Sequence, residues 1–227
     1  MKKVVLLVAT IGLIVLIGPW VIDMYKFAGG VKKDAVRLNR FMIEKEIQDG
    51  DIIFQTSLSG QSKAIQLATN SVYSHCGLIF KHPKDSLNWY VLEAVQPVKW
   101  TKLHDWIDRG KDNHYVIRRV VSDQPLPYPT LRKVMASAEK HLSKPYDLTF
   151  EWNDERMYCS ELIWKAYKEA TGLSVGKLQI LSDFDLSDEM VNQKLKERYG
   201  QSIPLQDTVI SPQAIFESPL LETVKSN

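Results

Sequence analysis

Residues 4–22 read VVLLVATIGLIVLIGPWVI, 19 positions without a charge, placed directly after Lys2 and Lys3. A helix rising 1.5 Å per residue needs about 20 apolar residues to cross the hydrocarbon core of a bilayer. The run therefore divides the chain, and whatever folds in water has to be built from the residues that follow. Cleaved signal peptides carry a shorter apolar core, about 7–15 residues, closed by an A-x-A-like site. Here Pro19 and Trp20 close the run, Trp20 suits a membrane interface, and only Ala28-Gly29-Gly30 offers a weak cleavage site. The reading is an uncleaved signal-anchor, with a cleaved signal peptide as the alternative. Residues 1–33 are taken as anchor plus linker and 34–227 as the folded domain. The N-terminus is placed in the cytoplasm, with membrane contact through 4–22 and the domain outside.

Charge excludes one large class of partner. Of 29 basic and 27 acidic residues, five lysines and one aspartate lie in 1–33, which leaves 24 and 26 for the domain. A near-neutral, slightly acidic surface does not supply the phosphate attraction that nucleic-acid binding requires. Two cysteines, Cys76 and Cys159, are too few for a disulfide scaffold or a four-cysteine zinc site.

Periodicity gives a coarse element order. Strands are expected at 51–55, 76–81, 89–95 and 114–121, with the polar stretch 82–88 as a hairpin loop. Helices are expected at 61–69, 130–142 and 159–170, the last capped near Gly172, and from Ser187-Asp188-Glu189 to about Gly200. Strands lead and helices follow, the pattern of an α+β domain with an antiparallel sheet packed on helices.

The chemistry narrows by elimination. GxSxG, HExxH, GxxxxGKS/T and GxGxxG are all missing from the sequence, and the five histidines form no i, i+4 pair. A Cys–His question remains. Cys159 precedes the apolar spacing Leu162, Ile163, Ala166, Tyr167, Ala170, so it falls at a helix N-terminus, where free N–H groups and the helix dipole favour a thiolate. The alternative is a small buried hydrophobe. His75 stands where a loop enters a strand, as a proton partner or as a residue of a polar corner. Glu93 interrupts the apolar run WYVLEAV; it orients an imidazole if the two strands pair as a hairpin, or it faces solvent at an edge. Cys76 is a competing nucleophile, but strand alternation points it away from His75. A Cys76–Cys159 disulfide would block the chemistry.

DGDIIFQ (49–55), YSHCGLIF (73–80), VLEAVQPV (91–98), KPYD (144–147), YCSELIW (158–164) and FDLSD (184–188) together resemble the YiiX-like bacterial proteins. These are permuted members of the NlpC/P60 group, also called permuted papain-like amidases. The resemblance covers about 49–219. It implies a circularly permuted papain-like fold, in which the histidine precedes the cysteine in the chain. It carries the catalytic nucleophile onto Cys159, the general base and acid onto His75, and the residue that orients it onto Glu93. Cys76 matches nothing that the family pattern requires. Asp51 and Gln55 lie in a family block, as site or structural residues. Tyr158, beside the nucleophile, either contributes its hydroxyl or packs.

The implied activity is a thiol amidase or peptidase of the bacterial cell envelope, acting on peptidoglycan-type amide bonds. The domain is then anchored in the inner membrane facing the periplasm or outside, or secreted if 4–22 is removed. An LRAT-like lipid acyl hydrolase or acyltransferase is the alternative, and a non-catalytic envelope binding protein the second. No metal or cofactor is implied, because thiol and imidazole supply nucleophile and proton transfer. The substrate is accordingly a peptide amide or an acyl lipid.

Overall fold

The Asp49-Gly50 turn feeds a four-residue strand, β1 (Ile52–Gln55), whose side chains are all buried. A strand buried on both faces belongs in the middle of a sheet. A computed structural model describes residues 43–121 and 124–227, and Glu46–Asn227 forms the unit that carries the site. The apolar run 4–22 lies outside the described residues. Among those described, no helix is long and apolar enough to cross a membrane.

In this unit β1 is central. It pairs antiparallel with β2 (His75–His82) on one side and, after β3 (Asp85–Glu93) and β4 (Lys99–Lys102), with β5 (Val116–Val120) on the other. The six-stranded sheet runs β4-β3-β2-β1-β5-β8, where β8 (Leu221–Ser226) is the last strand of the chain. The α+β architecture expected from the element order is present. Two details differ. The β2–β3 loop shortens to Pro83-Lys84, because the polar residues 85–88 join the ladder at an exposed end. The late strand β8 returns to close the far edge against β5. Its burial pattern, one buried residue followed by exposed and half-buried ones, offers no apolar run to read.

Alternation sorts the strand side chains onto two faces. Ile52, Phe54, Cys76, Leu78, Phe80 and Leu92 form one core. Onto it pack α3 (Tyr128–Glu139) through Val134, Met135 and Ala138, and α4 (Cys159–Thr171) through Leu162, Ile163 and Ala166. Leu162 and Ile163 are fully buried, each worth about 1.5–3 kcal/mol of transfer free energy. Gly172 ends α4 at φ 76°, the left-handed cap that a glycine adopts without strain. The short α2 (Leu103–Asp108) brings Trp106 to the opposite face of the sheet, where Glu93 projects.

A smaller apolar cluster lies beside the main core. In it α1 (Ser62–Thr69) meets α5 (Glu189–Tyr199) through Ala64, Leu181, Val191 and Leu195. The two-stranded ladder of β6 (Gln179–Ile180) and β7 (Thr208–Val209) and the short α6 (Pro212–Phe216) complete the unit.

Candidate active site

Cys159 is the first residue of α4, as its spacing implied. Tyr158 caps the helix in extended conformation, and the Glu161 carboxylate accepts the Tyr158 N–H at 3.3 Å. First-turn N–H groups have no partner within the helix, so the thiol sits where an anion is stabilised. Its side chain is almost fully buried, 3% exposed.

His75 opens β2. The loop before it is pinned from three sides. Ser74 N–H donates to the Gln55 carbonyl at 3.1 Å, Ser74 Oγ accepts Ser57 N–H at 2.9 Å, and the Ser74 and Ser62 hydroxyls bond at 2.6 Å. Two residues on, Gly77 faces β3. A Cβ there would lie 2.3 Å from Val91 Cγ1, so only glycine lets the strands approach at this level. The register pairs Leu78 with Leu92, which sets Glu93 one residue beyond, at the His75 end of the hairpin.

Glu93 is completely buried and saturated with donors. His75 Nε2 bonds its Oε2 at 2.6 Å, Trp106 Nε1–H donates to the same oxygen at 2.8 Å, and Arg109 Nη2 donates there too. Thr101 Oγ1–H donates to Oε1 at 2.6 Å. The Trp106 ring also stacks on the His75 ring, with centroids 5.6 Å apart and planes 24° from parallel. The imidazole is thus held at one nitrogen and along one face, which leaves Nδ1 for the Cys159 sulfur, with which His75 interacts.

The electrostatics follow from this packing. The Cys159 thiol is held well below its ordinary value, first by the hydrogen bond from the Cys76 thiol and next by His75, which together outweigh burial. Burial pushes the Cys76 thiol well up, so Cys76 remains protonated and acts as the donor. Burial would lower His75, but its hydrogen bonds to Cys159 and Glu93 raise it to about 9. Burial would raise Glu93, but His75 and Arg109 bring it down to about 2. At neutral pH the group is a thiolate, an imidazolium and a carboxylate in a row. Such linked protons titrate as one system.

On the side away from Glu93, Cys159 lines a cavity of about 90 Å³. Its walls include Ala64, Ile65 and Phe150, with Leu181, Val191 and Leu195 from the smaller cluster. Polar groups enter at the Tyr146, Gln61 and Arg198 side chains.

A family model of permuted papain-like amidase enzymes, the YaeF/YiiX group, matches residues 46–225. The chain belongs to this family. It is similar to the uncharacterized protein YiiX of Escherichia coli K12, 52% identical over 177 residues, or 78% of this chain and 85% of the relative. It is also similar to the crystal structure of YiiX from Escherichia coli O157:H7, described as a metalloprotein. That likeness has a TM-score of 0.75 and 51% identity, over 80% of this chain and 98% of the other.

In this member of the permuted papain-like amidase family, Cys159, His75 and Glu93 come together. Cys76 points to the helix-covered face and still meets Cys159, because the head of α4 sits at the end of the strand. The two cysteines are free thiols. The Tyr158 hydroxyl is engaged in the core: it accepts Ile210 N–H at 3.1 Å, and the ring packs edge-on against Phe150. Asp51 pairs with Arg119 through both oxygens, at 2.7 and 2.8 Å, and accepts Gln48 N–H, which makes it a brace of the turn before β1. Gln55 is the register partner of His75, with Oε1 against Gly110 and no hydrogen-bond partner among the described residues. Sequence reading missed Thr101, Trp106 and Arg109, since α2 and β4 are too short to show a period. The i, i+3 spacing of Trp106 to Arg109 was the available signal.

Proposed function

We propose that this protein is a cysteine amidase or peptidase in which Cys159 is the nucleophile, His75 the proton carrier and Glu93 the residue that orients His75. One observation carries the reading: the thiol at the head of α4 interacts with a buried imidazole whose other nitrogen bonds a buried carboxylate at 2.6 Å. In this reading the Cys159 thiolate attacks the amide carbonyl. His75 gives its Nδ1 proton to the leaving amine, and a thioester forms. Water then attacks the thioester while His75 takes its proton, which frees the acid and restores the thiolate–imidazolium pair. The backbone N–H of Cys159 is positioned to donate to the developing oxyanion. Tyr146 joins it: its hydroxyl accepts Gln61 Nε2–H at 3.0 Å, so its own proton is free to donate, and burial keeps it protonated.

Among the described residues, no group of three or more His, Cys, Asp or Glu is placed to hold a metal ion. The envelope assignment, with anchoring through 4–22 and peptidoglycan-type peptides as substrate, is supported by the apolar run and by the family resemblance. The apolar cavity beside Cys159 favours an acyl lipid as the second reading.

The test is a product screen by mass spectrometry on the full chain, with muropeptides and acyl lipids offered in parallel. New amines or acids released by the wild type and not by Cys159→Ala support the triad and identify the class. Release that continues in Cys159→Ala refutes it.

A further inference from the structure

The reading above leaves one charged side chain in the substrate cavity unused. Arg198 lies on α5 and lines the same cavity as Cys159. Its Nη2 donates to Gln61 Oε1 at 2.5 Å, and its guanidinium lies 4.7 Å from the centre of the Phe150 ring. Gln61 passes the contact on through its hydrogen bond to Tyr146, which feels the charge of both Cys159 and Arg198. The side chain is thus positioned by a stack and a hydrogen bond, and it is half-buried.

Among the described residues, Arg198 makes no ion pair. The nearby acids are committed elsewhere. Glu197 bonds Lys194 at 2.5 Å and Gln193 at 3.1 Å. Asp147 accepts Thr149 N–H and hydroxyl at Oδ1, each at 2.8 Å, and faces Arg156 with the same oxygen; its buried Oδ2 has no hydrogen-bond partner among the described residues, and it acts on Arg198 through charge without an ion pair. Lys194, the other cation of the cavity wall, is the one that Glu197 neutralises. A cation withdrawn from water normally keeps a counter-charge. Here the guanidinium has most of its five donors unspent, in a cavity whose walls are mostly apolar.

We propose that Arg198 is the specificity residue that reads a carboxylate on the substrate of Cys159. This rests on the thiol mechanism above and narrows its substrates to acyl donors that carry a carboxylate close to the scissile carbonyl. Guanidinium and carboxylate match in a planar, bidentate geometry, and the apolar walls strengthen the attraction by excluding water. The carboxylate completes the ion pair that the folded chain leaves open.

The test needs no substrate. Iodoacetate and iodoacetamide alkylate the same sulfur and differ in the carboxylate. Their rates at Cys159 are measured on the full chain by peptide mapping at pH 7, in wild type, Arg198→Met and Arg198→Lys. His75 attracts iodoacetate in every form, so the quantity read is the iodoacetate-to-iodoacetamide ratio. Arg198→Met should lower that ratio about tenfold, Arg198→Lys should keep most of it, and salt should erode it in the wild type. A ratio unchanged in Arg198→Met overturns the proposal. If Arg198→Met loses both reactions, Arg198→Lys decides: a ratio near wild type supports charge reading, and a collapsed one overturns it. A wild-type Cys159 no faster than an ordinary thiol with either reagent refutes the thiolate–imidazolium pair itself, a separate outcome.

Discussion

Glu93 and Asp51 are both wholly buried carboxylates on or beside an apolar strand, and each has an arginine for a partner. They are shifted in opposite directions. Glu93 is brought down to about 2 against the pull of burial, while burial raises Asp51 above its usual value in spite of Arg119. The difference is the company each keeps. Asp51 has one cation and the Gln48 N–H. Glu93 has a second cation, His75, together with the donors of Trp106 and Thr101. A single arginine braces a turn. Four donors converging on one carboxylate keep it ionised next to a histidine, as the orienting role proposed for Glu93 requires.

The sharpest way to break that contrast is Glu93→Gln. It keeps the shape, removes the charge and sets an amide against His75. The expected loss in turnover is about 10²–10⁴-fold, with slower alkylation of Cys159 below pH 7. A rate within twofold of wild type would remove Glu93 from the mechanism.

Cys76 comes next. Cys76→Ala removes the thiol donor to the Cys159 thiolate, so the acid limb of the alkylation profile should move up by about one pH unit. Cys76→Ser, which keeps an O–H donor, should restore most of the shift. Equal profiles in all three proteins would show that the thiol only fills space. Arg109→Gln is expected to cost about tenfold in turnover, and added salt should weaken the wild type in the same direction, since the Arg109 side chain is 36% exposed.

The two carboxylates also differ in how they tie stability to pH. Glu93 titrates lower folded than unfolded, so its contribution is present above about 4.5 and is lost as pH falls towards about 2. His75 is the reverse. Its contribution is complete below about 6.5 and is lost as pH rises through about 9. Asp51, raised by burial, weakens the fold as it ionises above about 4. Cys159, held below its ordinary value, works in the opposite sense over the same range, so the fall above pH 6.5 is to be read in Cys159→Ala, where denaturant titrations should show a slope that adding His75→Ala flattens. An identical slope in the double variant would show that His75 is not charged in the folded protein. Asp51→Asn has the smallest expected effect on the chemistry. It should change stability by about 1–3 kcal/mol and leave the Cys159 alkylation profile in place. A shifted profile would link the Asp51 brace to the site.

Much of this was legible in the order of residues. The expected strands β1, β2, β3 and β5 and the helix headed by Cys159 are present, because apolar periodicity and end signals are local properties. A cysteine immediately before an amphipathic stretch has to meet the helix N-terminus, and an acid inside an apolar strand has to find a partner. His75, Cys159 and Glu93 could be singled out on those grounds alone.

What surrounds them could not. Thr101, Trp106 and Arg109 sit on elements of four to six residues, where no period develops. The closing strand β8 is an edge, so its residues carry no apolar signal. Asp51 and Glu93 read alike in sequence, and only the sheet register and the placement of α2 separate a brace from the carboxylate that meets His75. The thiol donor role of Cys76 and the unpaired charge of Arg198 arise from distances between residues 83 and 137 positions apart, Cys76 to Cys159 and Gln61 to Arg198. Local sequence determines which groups can do chemistry, because propensity and alternation act over a few residues. Tertiary packing decides which of them are charged, because desolvation and ion pairing depend on whatever the fold brings within a few ångströms.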